Sequence, residues 1–161
     1  MLELTCTSYR AGGNIPLRYA HRSVRGGSNI SPGFRWTDPP EGTACFLLAV
    51  VDPHPVARDW IHWLVADIPA GSGELPEDAS GSSRMPKGSV ESLNSFGEKG
   101  YGGPAPPAGT GPHPYVATLF ALSGKLYLPG GRMQWGDVLR AAKTLELVRA
   151  TVTGYYERKE G

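Results

Sequence analysis

Glycine and proline punctuate this chain and constrain it most: 22 glycines and 15 prolines make up more than a fifth of its 161 residues. They show no collagen-like period, and apolar runs interrupt them throughout. That combination predicts many short strands joined by tight turns and long ordered loops. The length suits a single domain, residues 1–161, around one core. Hydrophobic residues at 40% and charged residues at 19% exclude a disordered or fibrous chain. The 16 basic and 15 acidic residues are well mixed and leave a formal charge of +1. There is no strong field and no run of Lys or Arg to gather a nucleic-acid backbone, so nucleic-acid binding is disfavoured.

Hydrophobic periodicity places the strands. Leu2, Leu4 and Cys6 alternate with Glu3, Thr5 and Thr7, which predicts a strand with one wet face. A turn at Gly12-Gly13-Asn14 leads to a second predicted strand, Ile15 to Tyr19. Gly26 to Trp36 reads as a loop closing on Phe34-Arg35-Trp36. Thr43 to Val51 is apolar without alternation, as expected for a strand buried on both faces, and stops at Asp52-Pro53. Trp60 to Ile68 and Tyr115 to Leu122 are two further central strands. Between them, residues 71–99 are rich in Gly and Ser and predict either a functional loop or partial disorder. Asp137 to Lys143 is a short helix with Asp137 as its N-cap and Val138, Leu139 and Ala142 as its apolar stripe. From Leu145 the period returns to two, with Val148, Ala150 and Val152 on one face of a final strand.

Cys6 and Cys45 lie in apolar or β-prone stretches and read as buried thiols in a reducing compartment. The first residues lack the basic and apolar regions of a signal peptide. The longest apolar run, Ala44 to Val51, is too short to span a bilayer. A cytoplasmic protein is the expectation.

The chemistry gathers at strand ends. His21 stands alone on a polar stretch and reads as an idle surface residue. Asp52 and His54 bracket Pro53 just beyond a buried strand, where a sheet presents groups to a crevice. His62 lies inside the next apolar strand, where an unpaired imidazole would be costly. His113 and Tyr115 are two apart at a strand start, so both side chains point the same way. Each taken alone is more often a satisfied polar residue than a site; together they suggest a cup of directed donors. Gly97 to Gly111 adds a loop in which prolines fix the backbone and glycines let N–H groups approach a ligand.

Asp52-Pro53-His54-Pro55 followed by Trp60-Ile61-His62-Trp63 resembles the first signature of the phosphatidylethanolamine-binding protein family, closest to its bacterial and archaeal, Raf-kinase-inhibitor-like branch. Gly100-Tyr101-Gly102-Gly103-Pro104-Ala105-Pro106-Pro107 with His113-Pro114-Tyr115 resembles the second. Asn29-Ile30-Ser31-Pro32, Pro40-Glu41-Gly42-Thr43, Asn94-Ser95-Phe96-Gly97 and the closing Gly154-Tyr155-Tyr156 fit as well, so the resemblance spans nearly the whole chain. It implies an all-β fold, a Greek-key sandwich of two antiparallel sheets with a short C-terminal helix. It also implies a small pocket for phosphate, phosphoryl head groups or similar anions, with no catalysis, no cofactor and no metal. By position in the motifs, Asp52, His62, His113 and Tyr115 line that pocket, Trp60 forms a wall, and Ala105 lies in the loop whose backbone meets the anion.

This chain carries His54 where relatives are usually acidic, which should favour anions, more so below about pH 6.5. Ala105 replaces a Cys or Gly and keeps that position small. Asp52 should repel a phosphate, and the expectation is that it instead orients and charges a neighbouring imidazole. The resemblance further implies a homodimer and, as in some relatives, a kinase or protease partner. One rival reading is a metal-dependent enzyme using Asp52, His62 and His113, with His54 added. A hydrolase is disfavoured, because there is no nucleophile elbow, no phosphate loop and no Cys beside a base.

Overall fold

The structure is a computed structural model that describes residues 1–159. Among the described residues, eight strands form two antiparallel sheets: β1 (Glu3–Cys6), β2 (Phe34–Thr37), β3 (Cys45–Asp52), β4 (Trp60–Pro69), β5 (Glu74–Leu75), β6 (Val90–Glu91), β7 (His113–Leu122) and β8 (Glu146–Tyr156). The smaller sheet runs β1-β2-β5 and the larger runs β6-β4-β3-β7-β8. One helix, α1 (Trp135–Lys143), lies between β7 and β8 in sequence.

β3 is buried at every residue because both of its faces are covered. Phe46, Leu48 and Val50 pack between the sheets with Leu4, Phe34, Trp36, Trp63 and Leu119. Leu47, Ala49 and Val51 face the other way, into a second cluster closed by Val138 and Ala142 of α1. Two packed faces remove any need for a polar alternation, which is why the run from Cys45 to Val51 contains none. On the outer strand β8 the alternation survives, with Leu147, Arg149 and Thr151 exposed and Val148, Ala150 and Val152 turned toward the sandwich.

Several expectations need correction. Ile15 to Tyr19 is not a strand: Asn14 makes a single bridge to Tyr155, and Leu17–Tyr19 is a turn of 3-10 helix. Pro16 supplies no N–H for a ladder, and the turn drops Tyr19 into the core, where its hydroxyl donates to Glu77. Phe34–Thr37 is a true strand, pairing with β1 on one side and β5 on the other. The helix starts before Asp137, which sits inside the first turn and accepts the Gln134 N–H at 3.2 Å. Residues 71–99 form β5, β6 and a series of turns. Cys6 and Cys45 are buried free thiols, and burial raises both thiol pKa values.

Candidate functional site

β3 runs antiparallel to both β4 and β7, so the end of β3 lies beside the beginnings of its two neighbours. Three chain segments distant in sequence therefore deliver Asp52, Trp60, His62, His113 and Tyr115 to one edge of the larger sheet. The pairing of β3 with β4 is irregular there: Val50 faces Trp63 and Val51 faces Ile61, leaving His62 opposite no residue. His62 is thus the extra residue of a β-bulge, a device that re-aims a side chain out of the strict alternation. Ile61 and Trp63 can then fill the two opposite core clusters while His62 turns to the sheet edge.

The loop from Gly100 to Pro107 forms the other wall. His62 Nδ1 donates to the Gly102 carbonyl at 2.7 Å, and the Gly102 N–H returns a bond to the His62 carbonyl at 2.8 Å. The approach is close enough that a Cβ on Gly102 would lie 2.6 Å from Phe96, and one on Gly103 would lie 2.1 Å from the Tyr19 carbonyl oxygen. Two asparagines brace this loop. Asn29 accepts the Gly103 N–H and donates to the Tyr101 carbonyl, while buried Asn94 donates to the Gly100 carbonyl. Together these segments enclose a cavity of about 340 Å³ lined by Asp52, Val56, Ala57, Trp60, His62, Phe96, Ala105, Pro106, Pro107, His113 and Tyr115.

Asp52 is buried, and its two oxygens are both occupied. One accepts the His54 backbone N–H at 2.9 Å and the other accepts His113 Nδ1–H at 2.6 Å. His113 Nε2 meets Thr110 Oγ1 at 2.8 Å, and that hydroxyl donates its proton to the Pro107 carbonyl at 2.7 Å. Both ring nitrogens of His113 are therefore engaged by protein partners. Asp52 orients the His113 imidazole, and neither ring nitrogen of His113 is left free to meet a ligand.

The polar atoms left over belong to other residues. His62 Nε2 and the Tyr115 hydroxyl have no partner among the described residues. Neither is among the sealed polar atoms lacking one, which are Trp60 Nε1 and Ser89 Oγ; both atoms open to the cavity they line. The Ala105 N–H is likewise unpaired among the described residues, and Pro106 and Pro107 have no N–H to offer. Burial lowers the His62 pKa to about 4, against smaller opposing effects of the Gly102 carbonyl and the Asp52 charge. At neutral pH His62 is therefore neutral, with its proton on Nδ1 and a lone pair on Nε2. Burial, aided by the Asp52 charge, pushes the Tyr115 hydroxyl well above its ordinary value and fixes it as a donor.

Six of the seven residues singled out in the sequence line this cavity. His54 does not. Its ring stacks on His113 at 3.8 Å between centroids and 8° between planes, and its Nδ1 accepts the Val56 N–H. The expectation of a charge at the pocket rim is corrected to a ring packed behind His113. His21 is also not idle: it stacks on Phe96 at 4.2 Å and bonds to Ser23 and Glu98. Phe96, with Val56 and Ala57, lines the cavity without having been singled out as a site residue, and it meets His62 and Trp60 edge-on. A lone aromatic in a Gly/Ser-rich stretch was the available signal. For the metal reading, the Asp52 oxygens, His113 and His62 Nδ1 are already committed to protein partners. Among the described residues no group of three or more His, Cys, Asp or Glu side chains is arranged to hold a metal ion.

Two packed antiparallel sheets with a polar-tipped, mostly apolar pocket at one sheet edge define an antiparallel β-sandwich with a single short helix among the described residues. Residues 5–157 match the model of the phosphatidylethanolamine-binding protein family, and the chain belongs to that family. It is 38% identical over 161 residues to a UPF0098 protein of Aquifex aeolicus, covering 98% of this chain and 90% of that protein. It is 35% identical over 158 residues to a UPF0098 protein of the archaeon Methanothermobacter thermautotrophicus, covering 98% and 99%. The crystal structure of Escherichia coli YbcL, described as a new member of the mammalian PEBP family, superposes with a TM-score of 0.89 at 31% identity, covering 98% of this chain and 99% of that one.

Proposed function

We propose that the cavity captures a small anion or the phosphoryl head of a larger molecule and performs no reaction on it. The observation that carries this reading is the pair of unpartnered atoms, His62 Nε2 and the Tyr115 hydroxyl, facing one cavity beside an Asp52 carboxylate whose two oxygens are already held by protein donors. Tyr115 and the Ala105 N–H donate to the anion directly. His62 Nε2 either accepts from a protonated phosphate oxygen or takes up a proton and donates. The lining includes no Ser, Thr, Cys or Lys that could serve as a nucleophile, and Asp52 is held by two donors.

Hydrogen bonds to a charged group contribute roughly 1.5–3 kcal/mol each. Three of them, less the cost of association, place the dissociation constant for bare phosphate between about millimolar and tens of micromolar. Calorimetric titration with phosphate, and with sulfate as an anion whose charge is constant from pH 5.5 to 8, tests the reading. Affinity should rise as pH falls, because the bound anion stabilises a protonated His62. Sulfate affinity that rises with pH, or no binding at millimolar anion, contradicts it.

A further inference from the structure

A second cavity, about 750 Å³, adjoins the first and shares Val56, Ala57 and Trp60 with it. The rest of its lining is of different character: Arg58, Asp59, Ser95, Arg132, Met133 and Gln134. The lining thus carries two arginines against one aspartate, all three of them exposed, for a formal excess of one positive charge. Arg132 spends one N–H on the Ser95 carbonyl, whereas the Arg58 side chain has no partner among the described residues. Two further observations concern residues that line this space. Trp60 Nε1 is a buried donor without an acceptor. Arg58 and Asp59 are consecutive non-glycine residues in the left-handed region, at φ +53° and +57°. That backbone suits glycine, yet the chain places two charged side chains on it, held by the bonds from the Ala57 and Arg58 N–H groups to the His54 carbonyl.

Resting on the anion-binding reading of the first cavity, we infer that the second cavity is a subsite for another acidic group on the same ligand. The ligand class is a molecule with two negative heads: a phosphoryl or phosphonate group beside His62 and Tyr115, and a carboxylate or second phosphoryl group on Arg58 and Arg132. The uncommitted guanidinium of Arg58 offers paired donors to a planar carboxylate. The same positive excess works against a head group that carries an ammonium next to its phosphate, so phosphoethanolamine gains nothing from this subsite.

The test compares methylphosphonate, phosphoethanolamine and a series of phosphonocarboxylates with methylene spacers of increasing length, by calorimetry at near-physiological salt. The best-fitting phosphonocarboxylate should bind about tenfold tighter than methylphosphonate, and the advantage should shrink at high salt. Arg58→Ala should remove most of that advantage while changing methylphosphonate affinity by less than about twofold. Arg132→Gln, which keeps an amide donor for the Ser95 carbonyl, serves as a second variant and should also reduce it. If methylphosphonate binds but no spacer gains affinity, the subsite is overturned and the first-cavity reading stands. If phosphoethanolamine gains and the carboxylates do not, Asp59 rather than the arginines governs this space, which also overturns the inference. If methylphosphonate itself does not bind, both readings fall.

Discussion

An imidazole placed in a protein interior is less costly neutral than charged, and His62 shows the consequence. Its pKa in the folded protein is about 4, below the ordinary 6.5 that it regains on unfolding. Between those values the unfolded chain binds the extra proton. The contribution is thus complete above about pH 6.5 and is lost as pH falls toward 4, by up to about 3 kcal/mol. Denaturation curves in the absence of anions should show that slope, His62→Gln should flatten it, and saturating sulfate should flatten it in the wild type. A second residue separates binding from folding. Tyr115→Phe removes only the hydroxyl, which has no partner in the protein, so phosphate affinity should drop five- to tenfold, about 1–1.4 kcal/mol, with little change in melting temperature. At this scale the sequence singled out Asp52, His62, His113 and Tyr115, which the fold gathers around one cavity, because polar residues at the ends of apolar strands are conspicuous. It could not show which of their atoms remain free. That depends on Thr110 and Gly102, whose roles exist only once the loop folds back on the sheet edge.

The elements that hold these side chains are a bulged strand and a glycine-rich loop. β3 was legible as a doubly buried strand because both its faces are apolar. The bulge in β4 was not, since an extra residue leaves no mark in composition and only cross-strand pairing reveals it. The turn at Leu17–Tyr19 was misread because Ile15, Leu17 and Tyr19 imitate strand alternation, while Tyr19 is in fact drawn inward by core packing and by Glu77. The loop supplies a contrast between two glycines. Gly103→Ala drives a Cβ into backbone atoms of Tyr19 and Ala20, and should destabilise the fold by at least about 2 kcal/mol and weaken phosphate binding. Gly109 has φ +83° but open space around it, so Gly109→Ala should cost only about 1–2 kcal/mol of backbone strain. Phosphate affinity should not change in that variant. Chemical denaturation and calorimetry on the pair check both statements.

Across the whole molecule, the two sheets and α1 form a frame whose two core clusters lie on opposite faces of the larger sheet. The site sits at an edge of that sheet, served by both. Trimming the helix-side cluster with Val138→Ala should lower stability by about 1–2 kcal/mol yet leave anion affinity within twofold, because Val138 is not in the cavity wall. The sandwich was readable from the spacing of apolar runs and turn residues; the meeting of His62 and His113 across three strands is a property of the topology. Sulfate capture in this cavity depends most on His62 exchanging a neutral state for a charged one when the anion arrives. Long-range proton–nitrogen NMR of the His62 ring at pH 6.5 reads this directly. Without anion the ring should be neutral with its proton on Nδ1, and saturating sulfate should convert it to the doubly protonated form. A ring that stays neutral while sulfate is bound would contradict the account.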